Sequence, residues 1–170
     1  GFNSPGVLGG WAPGYRPVTL PEDIALRLPA ASRVVLQVHY QGHATPKPDR
    51  TEIGVYYAKK DPKQQLFILP LARESFTIPP NDANFRLTQD FDVPAFLSAK
   101  LWLIAPHMHL LGRKMKVEAT SKDGQTRCLV NIEDWDFNWQ SVYRYNQPIT
   151  IPASTRLSLT ATYDNSSGNL

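Results

Sequence analysis

The chain is poor in the residues that most often mark covalent frameworks and nucleophilic chemistry. It has one cysteine in 170 residues. Cys128 has no intramolecular partner for a disulfide, so cysteine usage does not define the compartment. No Gly-x-Ser-x-Gly elbow occurs, and no Gly-rich phosphate loop precedes a helical pattern. That removes the sequence-level signals of serine hydrolases and P-loop enzymes. No apolar run reaches the roughly 18 residues of a membrane helix, so an integral membrane protein is not expected. Charge of one sign is never concentrated. The net charge is only +3, and acids and bases alternate through segments such as RKMKVEATSKDGQTR. Nucleic acid is therefore not an expected partner. The sequence begins at Gly1 without a signal peptide, which suggests either a processed chain or a piece of a longer one.

What is abundant is proline. Its 15 copies punctuate the chain throughout, and each removes a backbone donor and disfavours helix. Between them lie short runs rich in Val, Ile, Leu, Tyr, Phe and Thr. The pattern predicts strands over 33–40, 52–59, 65–69, 84–93, 100–110, 113–120, 126–133 and 155–163, separated by polar turns such as the one at Asp123-Gly124. Only PEDIALRL (21–28) offers a helical turn, with Pro29 ending it. Many short strands bounded by turn residues predict an all-β fold, an antiparallel β-sandwich. The opening segment is rich in Gly and Pro and reads as an ordered loop. QGHATPKPDRT (41–51) reads as a connection between two structural units.

All four histidines fall in two places: His39 with His43, and His107 with His109. On a strand, residues i and i+2 share a face, so His107 and His109 would lie about 6–7 Å apart at Cα. Two imidazoles at that spacing can converge on one metal ion, while Met108 turns to the core. A solvated strand face carrying two unrelated histidines is the plainer alternative. His39 closes an alternating strand and shares a face with Val35 and Gln37, where a histidine is usually a hydrogen-bonded edge residue. His43 sits in a polar turn and reads as solvated. Trp135, Phe137 and Trp139 alternate in NIEDWDFNWQ and look like packing residues. Carbohydrate binding through Trp135 and Trp139 is the alternative for that segment.

A set of motifs then appears in order along nearly the whole chain: GWAPG (10–14), LQVHY (36–40), GVYYAKK (54–60), IPP (78–80), HMHLLGRKM (107–115), DGQTRCLVNIEDWDFNWQ (123–140) and TYDN (162–165). Together they resemble the copper type II, ascorbate-dependent monooxygenases, the family of dopamine β-monooxygenase and peptidylglycine α-hydroxylating monooxygenase. The dopamine-type branch is the more similar. The resemblance implies two jelly-roll-like sandwiches with two separated copper ions, and hydroxylation of an aliphatic C–H with ascorbate or another one-electron donor. It places His107 and His109 at the oxygen-binding copper, and His39 as the third histidine of the electron-delivering copper, with Gln37 nearby. Imidazole suits both copper oxidation states, and a thioether favours Cu(I).

The same comparison shows gaps. The other two histidines of the electron-delivering site belong to an N-terminal domain that this sequence does not contain. The methionine ligand should follow TYDN, and neither Met108 nor Met115 stands there. The family's cysteine before the Thr-Tyr pair is replaced by Ala161. The expectation is thus a portion of a secreted, extracellular or periplasmic enzyme acting on a small-molecule substrate. Residues 1–45 would be the end of the first copper domain plus a connection, and 46–170 most of the second. It would work with the missing N-terminal domain or within a larger assembly. A non-catalytic binding or structural subunit derived from the family is the alternative. In the peptidylglycine branch an arginine two residues before the first His holds the peptide carboxylate. Ala105 stands there, so peptides ending in glycine are not the expected substrate.

Overall fold

The computed structural model describes residues 6–12, 15, 19–40, 45–73 and 75–169. Among them there are eight strands and no α-helix, which makes this an all-β protein. The chain divides into two compact units. One comprises Gly1–Leu8 with Val18–Ile68, and the other Gly9–Pro17 with Leu69–Leu170.

In the first unit, β1 (Ile24–Leu26) pairs in parallel with β2 (Gln64–Leu66). The helical turn expected at 21–28 is instead a tight turn followed by β1. The Ile24 amide donates to the Pro21 carbonyl at 3.0 Å, and Ile24 is buried. The strands expected at 33–40 and 52–59 make no ladder among the described residues. Their apolar side chains, including Val35, Tyr40, Tyr56 and Tyr57, are exposed. An alternating pattern supplies a face, but a ladder also requires a neighbour to receive its backbone groups.

The second unit is a two-layer sandwich. A four-stranded antiparallel sheet has the order β3 (Phe85–Asp92), β8 (Arg156–Tyr163), β5 (Gly112–Thr120), β6 (Thr126–Ile132). Alternation fixes its faces. Met115, Val117 and Ala119 of β5 are buried. Lys114, Lys116 and Glu118 point outward, pairing Lys116–Glu118 at 2.7 Å and Lys114–Glu133 at 3.0 Å. Across the sheet Leu87, Ala161 and Met115 are in register. Ala161, only 1% exposed, leaves room between the two larger side chains.

The second layer is β4 (Ala99–Ile104) paired antiparallel with β7 (Tyr143–Ile151). Ile149 and Ile151 of β7 pack with Val117, Ala119 and Leu129 of the larger sheet, and Leu101 and Ile104 of β4 add to this cluster. Tyr145 donates its hydroxyl to the Leu129 carbonyl at 2.8 Å, tying β7 to β6. β7 is absent from the sequence-based expectation, and Pro148 is the reason. The β4–β7 register breaks between Leu101, opposite Ile149, and Leu103, opposite Arg144. Pro148 falls in that irregularity, where the ladder asks no donor of it. A second core cluster, at the end of the larger sheet, gathers Leu87, Met108, Met115, Trp135, Ala161 and Tyr163.

Candidate metal centre

The His-x-His pair does not lie on a strand. β4 ends at Ile104, and residues 105–109 have left the ladder before the turn at 110–111. The expected side-chain alternation survives nevertheless. His107 and His109 are exposed, and Met108 between them is 2% exposed within the second core cluster. The two imidazole centroids are 5.1 Å apart, with ring planes at 85°. Burial of Met108 therefore does for this loop what a pleat would have done for a strand: it sends both neighbours to the same side. It also takes the thioether away from the imidazoles, as its place in the alternation implied.

The loop is held at its far end by Gly112. The Gly112 amide donates to the His109 carbonyl at 2.9 Å. A Cβ at this position would stand 2.8 Å from Met108 Cβ and 3.0 Å from the His109 oxygen. Only glycine lets β5 begin this close to the histidine turn.

The loop and the start of β5 are tied to two segments distant in sequence and, through one of them, to a third. The Asp164 amide donates to the Leu111 carbonyl at 2.8 Å, and Arg113 reaches Asp164 at 3.7 Å while donating to Asn169. Asn165 in turn donates its side-chain amide to the carbonyls of Ile78, at 3.2 Å, and Pro79, at 3.0 Å. The Trp135 amide donates to the Arg113 carbonyl at 2.8 Å. The segments IPP, HMHLLGRKM, EDWDFNWQ and TYDN, dispersed over nearly ninety positions, thus meet around one end of the sandwich.

One contact reaches the histidines themselves. His107 Nδ1 hydrogen-bonds Gln140 Oε1. Gln140 is 5% exposed, and its amide nitrogen donates to the Phe137 carbonyl at 2.9 Å. Nothing in spacing pointed to it, since it is 33 positions from His107. Its only trace in the sequence is its place at the end of the matched segment 123–140.

His39 is exposed and belongs to the other unit. Gln37 and His39 share a face as the alternation implied, with Gln37 Nε2 at 3.0 Å from His39 Nε2. His43 lies outside the described residues, as do Pro13 and Gly14 of the GWAPG segment. Among the described residues no group of three or more His, Cys, Asp or Glu side chains forms a metal-binding cluster. The donor set at the candidate centre is therefore two imidazoles. Imidazole is a good ligand for copper in both oxidation states, as it is for zinc, iron and nickel.

Of the two tryptophans considered for sugar binding, Trp135 is 7% exposed and belongs to the core, whereas Trp139 is 67% exposed. Both line one cavity of about 270 Å³, together with Asp134, Asp136 and Tyr143. Cys128 is a free, exposed thiol on β6, opposite Glu118.

No family model matches the chain, and no curated protein matches it. Among the described residues no helix is long and apolar enough to cross a membrane.

Proposed function

We propose that this chain is a copper-binding portion of a monooxygenase similar to the ascorbate-dependent copper type II enzymes, one that hydroxylates an aliphatic C–H of a small molecule outside the cytoplasm. The observation that carries the reading is the pair His107 and His109. Their rings are held 5.1 Å apart on one exposed side by the burial of Met108 between them. The convergence of three other motif segments on the one that carries the pair supports it, because two of them bond that segment directly and the third is bonded through Asn165.

In this reading His107 and His109 hold the copper ion, and His39 is one ligand of a second. When bound, copper supplies the one-electron chemistry and the affinity for dioxygen that the side chains lack. The chain's own contribution is positional. Met108 and Trp135 anchor the loop from beneath, and Gly112 lets it close on β5. A loop anchored before metal arrives loses less conformational freedom on binding.

Titration with Cu(II) of the wild type, His107→Ala and His109→Ala tests this. Either substitution is expected to weaken binding at least tenfold, about 1.4 kcal/mol. Equal affinities across the three proteins would remove the pair as the site.

A further inference from the structure

We infer that Gln140 is the positioning residue of this centre: it holds His107 in the tautomer that carries its proton on Nδ1 and leaves the Nε2 lone pair for metal. The inference rests on the copper reading above for its purpose, but its geometry stands apart from it.

The argument begins with the direction of the Gln140 amide. A carboxamide can be turned end for end, and its orientation is decided by its partners. One partner here is a main-chain carbonyl, that of Phe137, which can only accept. It is met at 2.9 Å by Gln140 Nε2. Reversing the amide would set the Gln140 oxygen against the Phe137 oxygen, with no proton between them. The oxygen of Gln140 therefore faces His107 Nδ1. A carboxamide oxygen only accepts, so Nδ1 must bear the proton. In a neutral imidazole the other nitrogen then has none. At more than nine-tenths buried, Gln140 has little water to compete for either bond.

The Phe137 carbonyl is itself held. The Asn138 amide donates to Asp136 Oδ1 at 2.8 Å and the Trp139 amide to the Asp136 carbonyl at 3.0 Å. The turn they form is pinned at its start, where Trp135 binds the Arg113 carbonyl and packs in the same cluster as Met108. The histidine loop and the Gln140 turn thus share an anchor, and the amide and the ring keep one relative position. His109 has no comparable restraint among the described residues: its ring makes no hydrogen bond there and stands edge-on to that of His107. The pair is asymmetric, with one imidazole committed before metal binds and one free to adjust. Partners of this kind commonly change metal affinity 10–100-fold.

The test uses the metal-free protein first. Long-range ¹H–¹⁵N correlation at a pH where the rings are neutral should show His107 with a protonated Nδ1 and an unprotonated Nε2. Gln140→Leu should release His107 into a mixture of both tautomers. Copper titration of the same proteins should show affinity lowered about 10–100-fold in Gln140→Leu. Amide dispersion matching the wild type identifies variants that remain folded. A wild-type His107 protonated on Nε2 would overturn the inference. So would a folded Gln140→Leu that keeps the single Nδ1–H form, or one that loses it yet binds copper as tightly as the wild type. If the wild type binds copper no better than His107→Ala, the copper reading fails, while loss of the Nδ1–H form in Gln140→Leu would still support Gln140 as the group that orients the ring.

Discussion

At Gly112 one missing methyl group decides how closely the histidine loop can approach β5. Gly112→Ala would place a Cβ 2.8 Å from Met108 Cβ, against a side chain already packed between Leu87, Met115 and Trp135. The loop must shift to admit it. Crowding of this kind costs about 1–3 kcal/mol, and the shift moves the two imidazoles with it. Gly112→Ala is expected to lower the unfolding free energy by that amount, seen as an earlier denaturant midpoint, and to weaken copper binding as well. A variant of unchanged stability and affinity would show that the loop is not set by this contact. Thr155 poses the opposite case. It is 1% exposed, its hydroxyl has no hydrogen-bond partner among the described residues, and its backbone carbonyl accepts from the Val93 amide at 2.8 Å. A buried unsatisfied hydroxyl costs about 1–3 kcal/mol. Thr155→Val keeps the shape and the backbone bond, so equilibrium unfolding should show it to be as stable as the wild type or more so. A marked loss would mean the hydroxyl has a role that the structure does not reveal.

Among the elements, β3 and β8 are joined at one end by an exposed ion pair. Arg156 donates two hydrogen bonds to Asp92, at 2.8 and 3.2 Å. These bonds, chiefly, and the charge of the guanidinium hold the Asp92 carboxyl below its ordinary value of 3.8. A carboxyl depressed on folding contributes stability that is fully present above its unfolded value and is lost as pH falls through the folded one. The window here lies below pH 3.8, not near neutrality. Asp92→Asn removes that contribution, and an amide cannot titrate. Stability measured from pH 5 downward should therefore fall less steeply in the variant than in the wild type. Parallel curves would show that the pair does not couple folding to protons. Because both groups are mostly exposed, the difference at neutral pH should be small.

Elements also differ in how plainly the sequence announced them. β5 and β8 were legible because alternate positions carry opposite chemistry, as in Lys114, Met115, Lys116 and Val117, and only one register buries the apolar set. β7 was hidden by Pro148, which sits where the ladder is already broken. Segment 33–40 has a strand's alternation without a strand's ladder, since pattern constrains faces but not partners. The side-chain directions of His107, Met108 and His109 followed from alternation, although the backbone there is loop and not strand. Gln140 was beyond reach. Its role depends on the turn that sets the Phe137 carbonyl against its side chain, 33 positions from His107, and on a shared anchor at Trp135, neither of which leaves a periodic trace.

For the whole molecule, the question is what 170 residues with two imidazoles at one centre can accomplish. Hydroxylation of a C–H by dioxygen consumes two electrons from the donor, and copper passes them singly. The centre at His107 and His109 offers two imidazoles and, among the described residues, no third side chain of the usual ligand types. Met108, the nearest thioether in sequence, is committed to the core. His39 lies in the other compact unit with a glutamine as its near neighbour. A single imidazole holds copper weakly and imposes no geometry suited to reversible electron transfer. The chain by itself is therefore expected to bind copper at the pair and to react with oxygen without delivering it to a substrate. The experiment supplies copper, ascorbate and a phenethylamine-type substrate, and measures hydroxylated product and hydrogen peroxide together. Peroxide without product is the expected outcome. Product formed in step with oxygen consumed, with no peroxide released, would show that these residues already complete the site, and that neither an added domain nor a thioether ligand is required.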